Sequence, residues 1–156
     1  MRFRILFCLS LLFVLLQPPL HAQDRDVPYW ASIKTNELNM RVGPSRDYKV
    51  SWVYRREQLP LKVLRVVDGW RLVQDSEGTQ GWVSSSLLSP RLTALVVGEG
   101  LAPMRDAANA NGGLKWNLEP GVVGYLGGCS DGWCELDVKG YRGWVSQSRL
   151  WGAGEP

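Results

Sequence analysis

Histidine is almost missing from this chain. There is one, His21, and it falls in a leader that the mature protein is expected to lose. Without it, Cys-His and Ser-His-Asp nucleophiles and His-ligated zinc are all excluded, and with them the cell-wall peptidases and amidases built on either. No Ser-x-x-Lys motif stands in their place, and the 15 acids are too scattered to single out a carboxylate pair for glycoside hydrolysis. The chain reads as a non-enzyme. Cysteine is scarce as well, with Cys8, Cys129 and Cys134 the whole complement. Metal binding would need further soft or imidazole ligands, and the Cys129–Cys134 spacing is not the C-x-x-C of redox enzymes. No metal or cofactor is therefore expected. Beyond the N-terminus no segment sustains a helical period with a capped start. An excess of charge is lacking too. Once Arg2 and Arg4 leave with the leader, 16 of the 18 basic residues remain to face 15 acids. The basic pI of about 8.9 is then no footprint of a nucleic-acid partner.

The longest apolar run, Ile5 to Leu16, is too short to cross a bilayer as a helix. It follows two arginines, is broken by Pro18-Pro19 and leads to the small residue Ala22, which is the pattern of a secretory signal peptide over residues 1–22. The expected location is periplasmic or secreted, with no membrane span left after cleavage.

What the chain has in quantity is self-similarity. Gly81-Trp82-Val83-Ser84-Ser85-Ser86-Leu87-Leu88 returns as Gly143-Trp144-Val145-Ser146-Gln147-Ser148-Arg149-Leu150. Upstream, Asp68-Gly69-Trp70 returns as Asp131-Gly132-Trp133, Trp52 as Trp116, and Met40-Arg41 as Met104-Arg105. A period kept in order with small loop changes means one fold written twice. The expected division is 23–89 for the first unit and 90–156 for the second. Ser89-Pro90-Arg91 is a short connection, which suggests two units in contact rather than beads on a string.

Both units read as strands. Trp30 to Thr35, Lys49 to Tyr54, Leu61 to Val67, Trp70 to Gln74 and Gln80 to Ser84 are short and bounded by turn residues. Thr93 to Val97, Gly121 to Leu126, Trp133 to Val138 and Tyr141 to Val145 repeat the plan. Asp68-Gly69 and Asp131-Gly132 favour two-residue type I′ hairpins, in which both central residues take positive φ. In the second unit such a turn makes Ser130 face Trp133, and one step further out Cys129 face Cys134. Directly opposed Cα atoms are about 4.5 to 5.5 Å apart, within reach of a disulfide, and an exported pair is expected to be oxidised. The first unit has Val66 and Arg71 at the matching places.

Leu38-Asn-Met-Arg-Val-Gly-Pro-Ser, Trp52-Val-Tyr-Arg-Arg, Asp68-Gly-Trp70 and Gly81-Trp-Val together resemble the bacterial SH3-like (SH3b) domain. The resemblance is to the tandem form of exported alphaproteobacterial proteins and covers nearly all of residues 30 to 152. The second unit diverges, with Ala107-Ala-Asn-Ala in place of Gly43-Pro-Ser-Arg. The resemblance implies an all-β protein of two small SH3-like barrels, half-open and antiparallel, with five or so strands each. Members of this family often act as targeting or binding modules, many attached to cell-wall hydrolases. Nothing matches the aromatic groove by which eukaryotic SH3 domains hold PxxP peptides.

The tryptophans kept in both units, Trp70/Trp133, Trp82/Trp144 and Trp52/Trp116, are assigned to the fold, buried or half-buried. The paired Arg41/Arg105 is assigned as a hydrogen-bonding strut. Residues peculiar to one unit are better candidates for specificity. Tyr48, Tyr54, Arg55 and Arg56, around the loop from Gly43 to Tyr48 and the strand after it, offer stacking faces and directed donors for sugars, carboxylates or peptide termini. The function expected is a non-catalytic binding module for cell-envelope material, peptidoglycan or its stem peptides first. A protein–protein interaction module for an envelope hydrolase or sensor is the alternative.

Overall fold

The computed structural model describes residues 26–156, so the expected export signal and its cleavage position lie outside the described residues. The first half forms β1 (Tyr29–Ile33), β2 (Leu38–Arg41), β3 (Val50–Tyr54), β4 (Pro60–Val67), β5 (Trp70–Gln74), β6 (Gln80–Ser84) and β7 (Leu88–Ser89). The second forms β8 (Thr93–Val96), β9 (Ala102–Arg105), β10 (Leu114–Leu118), β11 (Val123–Ser130), β12 (Trp133–Val138), β13 (Tyr141–Ser146) and β14 (Leu150–Trp151). A single 3₁₀ turn precedes the last strand of each, Ser85–Leu87 and Gln147–Arg149. Strand order is β3-β2-β6-β5-β4-β1-β7 in one sheet and β10-β9-β13-β12-β11-β8-β14 in the other, the same order position for position. The fold is all-β and written twice.

Seven strands per unit exceed the five or so implied by the resemblance, because the two-residue β7 and β14 close each unit by pairing with its first strand. β2, β9 and β10 escaped the sequence reading for a local reason. Leu-Asn-Met-Arg, Ala-Pro-Met-Arg and Leu-Lys-Trp-Asn-Leu contain no β-branched residue, and Pro103 argues against a strand outright. Tertiary pairing overrides that weak preference.

Alternation places each core. Leu38 and Met40 point inward from β2 while Asn39 and Arg41 are half-exposed. Ile33, Leu61, Val63, Val73 and Val83 complete the first cluster, and Ala94, Val96, Met104, Leu136, Val145 and Leu150 belong to the second. Trp82 is buried, whereas Trp70, Trp133 and Trp144 are half-buried.

The Asp131-Gly132 turn takes φ of 50° and 78°, as a type I′ hairpin requires, and Ser130 pairs with Trp133. Cys129 then pairs with Cys134, and the two form a disulfide with Cα atoms 4.0 Å apart. Asp68-Gly69 differs. Val67 pairs with Trp70, leaving a two-residue loop, but only Gly69 has positive φ, so this turn is not type I′. No cysteine pair needs close registration there; Val66 faces Arg71 instead. Replacing both cysteines by serine should cost the second unit about 2 kcal/mol, because the closed loop is short. The expected result is a lower melting midpoint for that unit with the tryptophan fluorescence of the first unchanged. Two titratable thiols in the native oxidised protein would refute it.

The units are docked through their polar and aromatic seams. Ser32 and Thr93 are the buried polar residues among those described, and each is satisfied at the junction. Ser32 Oγ donates to the carbonyl of Arg91 in the connection at 2.8 Å, and Thr93 Oγ1 donates to the carbonyl of Gln58 at 2.7 Å. On the flank, Trp30 and Trp151 meet edge to face with ring centroids 5.0 Å apart. Their indole N–H groups donate to Gly154 O and Pro60 O, and the Lys62 ammonium lies over both rings.

Candidate functional site

Arg41 follows Met40 on β2 and carries the loop between β2 and β3. Its Nη1 donates to the carbonyls of Arg46 at 3.0 Å and Tyr48 at 2.6 Å. Arg105 does the same in the second unit, donating to Gly112 O at 2.7 Å. Both are the struts expected. Gly43 lets the loop fold under its own tyrosine, since a Cβ there would lie 2.6 Å from the Tyr48 ring. Tyr48 itself is 48% exposed at the rim of the unit.

The four residues proposed from sequence do not converge on one place. Arg55 points to one side of β3, exposed, and pairs loosely with Glu37 at 3.8 Å. Tyr54 is a core residue, 8% exposed, and the equivalent Leu118 is buried to the same degree. Its hydroxyl donates to Asp75 Oδ2 at 2.7 Å, while Asp75 Oδ1 accepts the backbone N–H groups of Glu77 and Thr79. Burial first, then the hydrogen bond to Asp75, push the Tyr54 pKa well above the ordinary tyrosine value. The hydroxyl is thus a neutral, committed donor, and its ring is not an open stacking face. Arg56 reaches the other way, across the junction, to Gly121 O at 2.8 Å.

What the structure does bring together is Trp52, the Tyr54 edge and Arg56. With Pro60, Asp75 and Glu77 they line a groove of about 280 Å³. Trp52 is the residue that sequence reasoning assigned wrongly. It is 56% exposed, and its counterpart Trp116 is 37% exposed. Trp52 and Tyr54, two apart, share a face of β3, yet the outcome reverses the expectation for both, which assigns Trp52 to the fold and Tyr54 to ligand contact. β3 and β10 are the outermost strands of their sheets, and the barrel does not cover that end of the face. Being kept in both copies was read as a demand of the fold; it marks a repeated surface instead. In the second unit Tyr141 stands edge-on to Trp116 at 5.2 Å, and Lys115 Nζ lies 4.9 Å from the ring centre.

Two small half-open β-units in tandem, each with an exposed tryptophan on an outer strand, define a tandem SH3-like protein. The family model for the bacterial SH3 domain matches residues 34–90 and again 98–152, and the chain belongs to that family. Domains of this kind are in general non-catalytic binding modules. Among solved structures the chain is similar to NlpC1 from Trichomonas vaginalis, at 13% identity and a TM-score of 0.35, over 83% of this chain and 47% of that one. It is also similar to NlpC2 from the same organism, at 12% identity and a TM-score of 0.36, over 82% and 49% of the two chains. The chain thus spans about half the length of the structures it matches. No curated protein matches it. Among the described residues no helix is long and apolar enough to cross a membrane. The disulfide is consistent with an oxidising, extracellular location.

Proposed function

We propose that this chain is a non-catalytic periplasmic or secreted module that binds cell-envelope material, peptidoglycan or its stem peptides. The observation that carries the reading is the exposed tryptophan repeated on the outer strand of each unit. A ring that could contribute to the core is left in water twice, at the same place, next to a cation in each case: Arg56 beside Trp52 in the groove, and Lys115 over Trp116. An aromatic face with charged donors at its rim suits a sugar ring or the polar backbone and carboxylates of a peptide. Two such faces on one chain suit a polymer that repeats, since the second contact becomes intramolecular once the first is made. Tyr48, further along the same outer hairpin, would extend the contact, while Tyr54 would hold the groove floor in place.

Co-sedimentation of residues 23–156 with purified sacculi tests this. The wild type should pellet with them, and Trp52→Ala combined with Trp116→Ala should weaken retention about tenfold or more, as truncating central aromatics of an interface does. Neither ring belongs to a core cluster, so the double variant should keep its fold by circular dichroism. Unchanged sedimentation of a folded double variant would overturn the proposal. Wild-type protein that stays in solution but captures an envelope hydrolase or sensor would put the interaction module in its place.

A further inference from the structure

A second cavity, of about 470 Å³, opens where the two units meet. The turn before β4 supplies Arg56, Glu57 and Gln58, the connection supplies Arg91, and the second unit supplies Tyr125, Asp137 and Lys139. Its size is that of a small-ligand site. Four observations single it out.

Arg91 lies over the Tyr125 ring at 3.3 Å from the centroid, while no hydrogen bond of its guanidinium is found among the described residues. A guanidinium laid on an aromatic face keeps its edge donors in a fixed plane, ready for a planar, two-oxygen partner. Tyr125 is itself fixed, because its hydroxyl oxygen accepts Gln58 Nε2 at 2.9 Å. That leaves the phenolic O–H as a further donor at the cavity.

Backbone strain collects at this place. Three non-glycine residues among those described have positive φ, and two of them, Gln58 at 66° and Lys139 at 54°, line the cavity. Lys139 occupies the first position of a two-residue turn between Val138 and Tyr141, where asparagine, aspartate or glycine would sit without strain. Strain of this kind persists where the surroundings impose it, and it collects at ligand sites.

The charge balance favours an anion. Both oxygens of Asp137 are engaged, Oδ1 by the Gly140 N–H and Oδ2 by Arg142, each at 2.7 Å. Those contacts, the Gly140 hydrogen bond first, together with the nearby charge of Arg91, hold its carboxyl below the usual range. With Asp137 offset by Arg142, the lining keeps Arg91, Lys139 and Arg56, the last also bonded to Gly121 O, against Glu57.

We infer that this junction cavity is a separate site for the terminal carboxylate of a short peptide, gripped by Arg91 in a two-point contact with Lys139 beside it. Glu57 suits an amine or amide N–H of the same ligand. The site shares Arg56 with the tryptophan groove but is built on Arg91, Tyr125 and Lys139, which that groove does not use, and would stand if the groove bound nothing.

The test is a calorimetric or NMR titration of residues 23–156 with N-acetyl-dialanine, its C-terminal amide and inorganic phosphate. The acid should bind saturably, and the amide about tenfold or more weaker. Arg91→Ala should weaken the acid by a similar factor while lowering the melting midpoint only by the loss of its contact with the Tyr125 ring, since the Arg91 contact to Ser32 is made by the backbone. Arg91→Lys should not restore binding, because an ammonium lacks the planar fork. Trp52→Ala should bind the acid as the wild type does, which separates this site from the envelope-binding groove. Equal binding of acid and amide, no saturable binding, or phosphate binding more tightly than the acid would each overturn the inference. So would an Arg91→Ala variant that melts early yet binds the acid as the wild type does, which would make Arg91 a docking residue only.

Discussion

Valine in place of Gly81 is expected to unfold the first unit under conditions where the wild type is folded. Gly81 lies on β6, and a Cβ built there would fall 2.3 Å from Met40 Cγ, 2.7 Å from its sulfur and 3.1 Å from the Arg41 carbonyl. Met40 is fully buried and has nowhere to retreat, while the carbonyl belongs to the pairing of β2 with β6. Gly81 has no positive φ, so the effect would be steric and not conformational. Overpacking a sealed core usually costs about 1–3 kcal/mol and can exceed that. A domain of this size holds only about 3–9 kcal/mol of stability in total. Gly143 meets Met104 in the same way in the second unit, at 2.5 Å from Cγ, and Gly143→Val should damage that unit instead. Gly69→Ala is the contrast: it meets nothing within 4 Å but has φ of 69°, and should cost only about 1 kcal/mol. Urea titrations followed by circular dichroism and tryptophan fluorescence would check all three. A Gly81→Val protein with the wild-type midpoint would refute the packing argument.

The second large effect is expected at Trp151. Alanine there removes the edge-to-face contact with Trp30, the Lys62 ammonium from its ring and the N–H donor to Pro60 O. Aromatic and cation–π contacts of this kind contribute about 1 kcal/mol each beyond the area they bury. The loss should total about 2–3 kcal/mol and should fall on the coupling between units rather than on either core. A transition that is single in the wild type should then separate into two. Trp116→Ala, which removes a tryptophan from an open face, should leave the transition single and near its original midpoint. Independent melting of the two halves already in the wild type would refute the docking contribution.

Several features were legible in the residues because they depend on local spacing alone. The Asp131-Gly132 turn sets the pairing of its neighbours, and Cys129 reached Cys134 through nothing but that count. The fit of Met40 against Gly81, and of Met104 against Gly143, was not legible in this way, because each pair lies four strands apart in sequence and meets only where β2 lies beside β6 and β9 beside β13. Trp52 and Tyr54 show where legibility stopped. Their alternation is identical, yet one is open and the other closed, because coverage depends on which strand ends up outermost. Arg55 and Arg56 are adjacent in sequence and stand together among the candidates for one site. In the folded chain Arg55 meets Glu37 of its own unit and Arg56 meets Gly121 of the other.

The sequence by itself determined the duplicated all-β plan, the disulfide and the family, since repeats, turn residues and strand alternation act over a few residues at a time. The tertiary structure decided which repeated tryptophan is buried and which faces water. It also decided that Tyr54 serves the core, and that Arg56, Arg91, Tyr125 and Lys139, spread over 84 positions of chain, line one cavity. Those outcomes depend on the order of strands in each sheet and on how one unit rests on the other. Both are set by contacts between residues far apart in sequence, and no window of neighbouring residues contains them.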